Sequence, residues 1–120
     1  MLAALVYPVV SMTAPLAHAD SRERLIGKQA SAALERAHSP QYNVPKDAPP
    51  CFLLHAEDDP SVPVGNSIEL HAALRAQGIS VEMHLFTHGG HGFGLRKAIG
   101  KPVGIWPELF VNWAQTMALI

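Results

Sequence analysis

Three segments of the chain carry the hydrophobic patterns of β-strands. Residues 2–7 and 51–55 are almost continuously apolar, which is typical of parallel strands that are covered on both faces. Residues 80–86 instead alternate apolar with more polar positions, as a strand does when one of its faces is wetter. We therefore predict two central strands and one strand at the edge of a sheet.

Four helical patterns lie between and after these strands. Two of them open with a capping box and end at a glycine: Asp20 with Glu23 before Gly27, and Asn66 with Glu69 before Gly78. Residues 30–37 are rich in helix formers, and residues 38–50, with four prolines, read as a loop. The last helix has Pro107 in its first turn and an apolar stripe formed by Leu109, Phe110, Trp113 and Met117. This alternation of strands and helices predicts an α/β fold with a parallel sheet.

The first 20 residues imitate a secretory signal, with an apolar start and the small-x-small sequence Ala17-His18-Ala19. No Lys or Arg precedes Arg22, so the charged region that normally opens a signal peptide is missing. We therefore favour a buried strand that ends near Pro8. No run reaches the ~18 apolar residues of a transmembrane helix, and the sequence does not assign a compartment.

Composition and charge indicate which classes of binding partner to expect. The 120-residue chain is 48% hydrophobic with a formal net charge of −1, as expected of a globular domain. Its Lys and Arg residues are scattered, so we predict binding neither to nucleic acid nor to a membrane surface. Its single cysteine, Cys51, excludes an internal disulfide and opens an apolar strand, which predicts a buried thiol.

Two loops carry candidate chemistry. Glu57, Asp58 and Asp59 follow the strand 51–55, and His91 lies among four glycines after the strand 80–86. Carboxyl ends of neighbouring parallel strands meet at one edge of a sheet, so a carboxylate could hold the imidazole of His91 as in a Ser-His-Asp site. Taken singly, each loop has a plainer reading, a solvated acidic turn or a flexible glycine loop with an incidental histidine. His55, at a strand end, is predicted to be a hydrogen-bonded core residue.

Five stretches carry a family resemblance: LVYPVV at 5–10, SRERLIG at 21–27, PPCFLLHA at 49–56, DDPSVPVGNS at 58–67 and GGHGFG at 89–94. With them the chain resembles α/β-hydrolases of the acetyl esterase, xylan esterase and dienelactone hydrolase-like group, related to the catalytic domain of prolyl oligopeptidase. The resemblance implies strands six, seven and eight of the family sheet, Asp59 as the triad acid and His91 as the base. Asp58 falls one place early and is expected to be a helper or turn residue, with the acid itself as the alternative. It implies no cofactor and no metal.

The family nucleophile, a serine in Gly-x-Ser-x-Gly, has no counterpart in this sequence. Ser67 lacks the flanking glycines and a strand directly before it. We therefore expect residues 1–120 to be a partial α/β-hydrolase domain without the nucleophile-bearing half, and to be inactive alone. The complete protein is expected to hydrolyse carboxylic esters, and the resemblance favours small acyl or acetylated-sugar substrates. The strand 2–7 would then expose an apolar edge and favour self-association.

Other interpretations stay open at this stage. His84, His88 and His91 have a spacing that on a helix would suit zinc, but they fall in a strand and a glycine loop. A non-catalytic binding module derived from half a hydrolase is the main alternative to a catalytic role. A shortened or misplaced gene boundary is a further one.

Overall fold

The structure, a computed structural model, describes residues 1–117. Within them one parallel sheet has the order β1-β2-β3, with strands β1 (Ala3–Val6), β2 (Cys51–Ala56) and β3 (Val81–Phe86). Leu53 of β2 lies opposite Leu5 on one side and Met83 on the other. The predicted parallel α/β arrangement and the three predicted strands are confirmed to within one residue at each end.

The helices occupy the segments in which they are predicted. They are α1 (Ala19–Ile26), α2 (Ala32–Ala37), α3 (Gly65–Ala76) and α4 (Trp106–Thr116), with short 3-10 turns at Pro40–Tyr42 and Pro102–Ile105. Gly27 and Gly78 follow α1 and α3 with φ angles of +86° and +75°, a conformation that favours glycine and stops a helix. Pro107 lies in the first turn of α4, as predicted.

Both capping-box predictions are wrong, because the side chains of Asp20 and Asn66 bond to groups other than the first amides of their helices. The N-cap of α1 is His18, whose Nδ1 accepts the backbone N–H of Ser21 at 3.3 Å, while Asp20 lies inside the helix and pairs with Arg24 at 2.9 Å. Helix α3 begins without a side-chain cap. Asn66 is fully buried there and bonds to the segment that follows β1, which a local sequence motif does not reveal.

Strand β2 is the centre of the fold. All six of its residues are buried, and its two faces contribute to two separate apolar clusters. On one face Phe52 packs edge-on against Phe110 of α4, at 5.6 Å between ring centroids. On the other face Cys51 and Leu53 pack with Leu70 and Leu74 of α3. Cys51 is buried as predicted, and burial raises the pKa of its thiol.

Strand β1 departs from its prediction. Its apolar run predicts cover on both faces, but none of its four residues is fully buried and Ala4 is exposed. Its outer edge is open, as expected of the strand 2–7, because β1 pairs only with β2 and no neighbouring strand of the described sheet shields its side chains on that side. Strand β3 forms the other edge, as predicted, with Glu82 exposed.

Within residues 1–117 no helix is long and apolar enough to span a lipid bilayer.

Candidate active site

The acid loop begins where β2 ends. One carboxylate oxygen of Asp59, Oδ1, accepts the backbone N–H groups of Ser61 and Val62, both at 2.8 Å. An aspartate that bonds to the amides two and three residues further on stabilises a tight turn. The Asp59 side chain has no solvent exposure. Oδ1 therefore bonds within its own loop, and the second oxygen, Oδ2, is available to partners outside that loop.

The histidine loop follows β3. Gly90 and Gly92, on either side of His91, have φ angles of +71° and +68°, which an L side chain rarely adopts. His91 Nδ1 donates to Oδ2 of Asp59 at 2.7 Å, and the side chain of His91 is 33% exposed. Because a carboxylate only accepts, the proton of the neutral ring lies on Nδ1 and the lone pair on Nε2.

The sheet explains why two residues 32 positions apart meet. Strands β2 and β3 are parallel neighbours, so their carboxyl ends lie side by side. The pairing continues beyond β2, where the backbone N–H of Glu57 donates to the carbonyl of Phe86 at 2.7 Å. The structure thus brings together Asp59 and His91, the two residues that the sequence analysis singles out.

Asp58 connects the same two loops by a different set of bonds. Its Oδ1 accepts the backbone N–H groups of Gly89 and Gly90 at 2.9 and 2.8 Å, and its Oδ2 lies 3.4 Å from His88 Nδ1. The Gly90 amide is the main cause of a lowered pKa of Asp58, with smaller help from Gly89 and His88 against partial desolvation. Asp58 thus links the acid loop to the histidine loop, and its helper role stays a prediction.

The environment of Asp59 favours its ionised form. Desolvation is the largest single influence and raises the pKa of this carboxyl. The amide of Val62, the imidazole of His91 and the amide of Ser61 act in the opposite direction and together outweigh it, so the pKa of Asp59 lies below its usual value. Asp59 therefore faces His91 as a carboxylate at neutral pH.

Tyr7 belongs to the site, although the sequence analysis treats it only as the end of a strand. It follows β1 directly, and its ring centroid lies 4.7 Å from that of His91 and 5.0 Å from that of Phe93. Its φ of +41° is unusual for a bulky residue. Such outliers concentrate at functional sites, and the one sequence signal here was an aromatic residue at the carboxyl end of a parallel strand.

His55 is a hydrogen-bonded core residue, as predicted. It has no solvent exposure, and its two ring nitrogens lie 2.7 Å from Ser67 Oγ and 2.9 Å from the carbonyl oxygen of Val62. Its Nε2 also lies 3.2 Å from Oδ2 of Asp59. No motif in the sequence indicates this contact with the acid.

The three histidines considered as zinc ligands each lie beside a different carboxylate. His84 pairs with Glu82 at 2.8 Å, while His88 and His91 lie beside Asp58 and Asp59. In the part of the chain that the structure describes, no three His, Cys, Asp or Glu side chains are grouped to hold a metal ion. The spacing of four and three residues therefore does not bring these imidazoles to one point.

Comparison with solved structures places the fold among known hydrolases. The acetyl ester-xyloside bifunctional hydrolase of Caldicellulosiruptor lactoaceticus is 37% identical, with a TM-score of 0.92 over 99% of this chain and 43% of that one. A carboxylesterase of Lactobacillus plantarum WCFS1 is 27% identical, with a TM-score of 0.79 over 99% of this chain and 45% of that one. The chain therefore spans less than half the length of either protein.

Comparison of sequences also relates this chain to hydrolases. Endo-1,4-beta-xylanase B of Butyrivibrio fibrisolvens is 36% identical over 88 residues, which are 73% of this chain and 14% of the xylanase. The sequence profile of the prolyl oligopeptidase family matches residues 2–116. The resemblance to α/β-hydrolases noted in the sequence is confirmed, and this chain belongs to the prolyl oligopeptidase family.

Proposed function

We propose that this chain supplies the acid and the base of a Ser-His-Asp hydrolase that acts on carboxylic esters. Asp59 is the acid and His91 is the base. The observation that carries the proposal is the 2.7 Å hydrogen bond from His91 Nδ1 to a carboxylate that is completely shielded from solvent. The esterase relatives support the class of reaction.

The geometry suits general-base catalysis. With its proton held on Nδ1, His91 can use the Nε2 lone pair to take the proton of a serine hydroxyl as the serine oxygen attacks the ester carbonyl. The imidazolium then returns that proton to the departing alcohol, and a water repeats the sequence to release the acid and the serine. Asp59 stays ionised throughout and stabilises the imidazolium.

We propose further that the nucleophile comes from a segment outside these 120 residues. The sequence contains no Gly-x-Ser-x-Gly. Ser67 is unsuitable, because it is fully buried and lies 2.7 Å from His55. The chain covers only 43% of the Caldicellulosiruptor hydrolase, which supports a nucleophile on a separate segment. Without a nucleophile and the amides that stabilise the oxyanion, residues 1–120 alone give no turnover.

The names of the relatives suggest the substrate class. An acetyl ester-xyloside hydrolase and a carboxylesterase favour small acyl esters, including acetylated sugars, as substrates of the complete protein.

The test uses a short-chain chromogenic ester and a longer protein that contains this segment together with a Gly-x-Ser-x-Gly serine. His91→Ala and Asp59→Asn should each lower kcat by about 10³- to 10⁴-fold. His38→Gln is the matched control, since His38 is exposed on the segment that follows α2. Full activity of the His91→Ala protein would refute the proposal. Turnover by residues 1–120 above their Asp59→Ala, His91→Ala double variant would refute the external nucleophile.

A further inference from the structure

We propose that His55 is a positioning residue for the acid of this site, and that Ser67 holds its ring in place by donating to Nδ1. This inference rests on the proposed function, since it assigns His55 a role through Asp59. Three groups surround the His55 ring: Ser67 Oγ at 2.7 Å from Nδ1, the carbonyl oxygen of Val62 at 2.9 Å from Nε2, and Asp59 Oδ2 at 3.2 Å from Nε2.

The surroundings determine the tautomer. Both neighbours of Nε2, a carbonyl oxygen and a carboxylate oxygen, can only accept, so Nε2 must carry the proton. In the neutral ring Nδ1 is then an acceptor, and the hydroxyl of Ser67 donates to it. The opposite tautomer would aim the Nε2 lone pair at two buried oxygens, an arrangement that is costly where no water can intervene.

In this tautomer His55 fixes the acid loop through the backbone of Val62. The carbonyl of Val62 accepts from His55, and the N–H of the same residue donates to Asp59 Oδ1 at 2.8 Å. Val62 is fixed through both of its backbone polar groups and is itself buried. The turn that aims Asp59 is therefore anchored to strand β2 through His55 and to helix α3 through Ser67.

His55 also acts on the oxygen that matters for His91. Oδ2 of Asp59 lies 2.7 Å from Nδ1 of His91 and 3.2 Å from Nε2 of His55. The N–H of His55 donates to the carbonyl of Val62, so its contact with Oδ2 is one of packing and charge, not a hydrogen bond. The buried ring restricts rotation of the carboxylate on the core side, so that the bond to His91 keeps its direction.

Ser67, His55 and Asp59 have the chemical order of a nucleophilic site, but burial excludes that role. Ser67 and His55 each have no solvent exposure, so no ester carbonyl can reach the hydroxyl. The group is a support for Asp59 and not a second active site.

The test is nuclear magnetic resonance of the ¹⁵N-labelled chain 1–120. Long-range ¹⁵N–¹H spectra report the tautomer of each imidazole, and the exchange rate of the His91 Nδ1 proton reports its bond to Asp59. We expect the proton of His55 on Nε2. In His55→Leu the His91 Nδ1 proton should exchange about tenfold faster, the loss expected for one hydrogen bond, whereas His55→Gln should restore slow exchange by keeping a donor near Val62.

Ser67→Ala is the second variant, in case His55→Leu does not fold. It leaves Nδ1 of the buried His55 ring without a donor, so the ring should loosen and the His91 exchange should speed up while the His55 proton stays on Nε2. Ser61→Ala, at an exposed serine of the same loop that contributes only its amide, should not change the exchange. A proton on Nδ1 of His55, or unaltered His91 exchange in the folded Ser67→Ala protein, would overturn the inference. These readouts need no ester turnover, so they stand or fall separately from the proposed function.

Discussion

The carboxylate of Asp58 accepts the backbone N–H of Gly90 at 2.8 Å, next to the bond between Asp59 and His91. Two consecutive aspartates thus hold consecutive residues of the histidine loop, one through the backbone and one through the imidazole. Loops with several glycines lose much conformational entropy when they order. The Asp58 contacts offset part of that cost before any substrate arrives.

Replacing Asp58 should therefore loosen the loop without removing the acid. We expect Asp58→Ala to lower kcat of the complete enzyme by about tenfold, less than His91→Ala, because His91 keeps its partner but spends less time in place. Steady-state kinetics with a chromogenic ester measure the effect. Glu57→Ala removes the neighbouring exposed carboxylate and should leave kcat unchanged. A loss in Asp58→Ala as large as that in His91→Ala would contradict a purely positioning role.

Asp59 should make the folded state sensitive to acid. Its pKa is lower in the folded protein than in the unfolded chain, so ionisation stabilises the fold. That contribution is complete above the unfolded value of about 3.9 and is lost as the pH falls through the lower folded value. Urea unfolding at a series of pH values should show a shallower acid dependence for Asp59→Asn. Asp47→Asn, at an exposed aspartate, should show the same dependence of the unfolding free energy on pH as the wild type. If Asp59→Asn also shows the wild-type dependence, Asp59 does not make the fold sensitive to acid.

Asn66 should be the costliest polar side chain of α3 to remove. Its Oδ1 accepts the N–H groups of Val10 and Ser11 at 3.1 and 2.8 Å, and its Nδ2 donates to the carbonyls of Leu16 and Pro63 at 2.8 and 2.9 Å. Asn66→Ala leaves these groups without their partner and should lower the free energy of unfolding by about 3 kcal/mol.

Urea titration measures this loss, with the exposed Asn112→Ala of α4 as the control for removing an asparagine from a helix. A change below about 1 kcal/mol in Asn66→Ala would show that water replaces the lost bonds.

The outer edge of β1 should promote association of residues 1–120. Leu5 and its neighbours in β1 pair with β2 on one side only, which leaves strand backbone and apolar side chains at the other edge. Sedimentation at micromolar concentration should reveal oligomers, and Ala4→Lys should shift them toward monomer because a charge at a strand edge opposes pairing. Ala72→Lys, on the exposed surface of α3, should not. A wild-type monomer would contradict the prediction.

The order of the strands and helices, and the candidate acid and base, follow from the linear pattern of residues. The apolar run in β2 and the alternation in β3 are local consequences of burial, and glycines 27 and 78 stop helices through their own backbone freedom. Asp59 and His91 stood out because reactive residue types followed predicted parallel strands and matched a family motif.

The hydrogen-bond partners of the polar side chains depend instead on how distant segments pack. Asn66 has the sequence position of a helix cap but bonds to the segment after β1, 55 and 56 residues away. Tyr7 reaches His91 only because β1 and β3 flank β2 and the three parallel strands end at one edge of the sheet. His55 reaches Asp59, four residues further on, because the turn after β2 folds back toward the end of the strand. Hydrogen bonding is short-ranged and directional, so a linear pattern can nominate a donor or an acceptor while its partner depends on how distant segments pack.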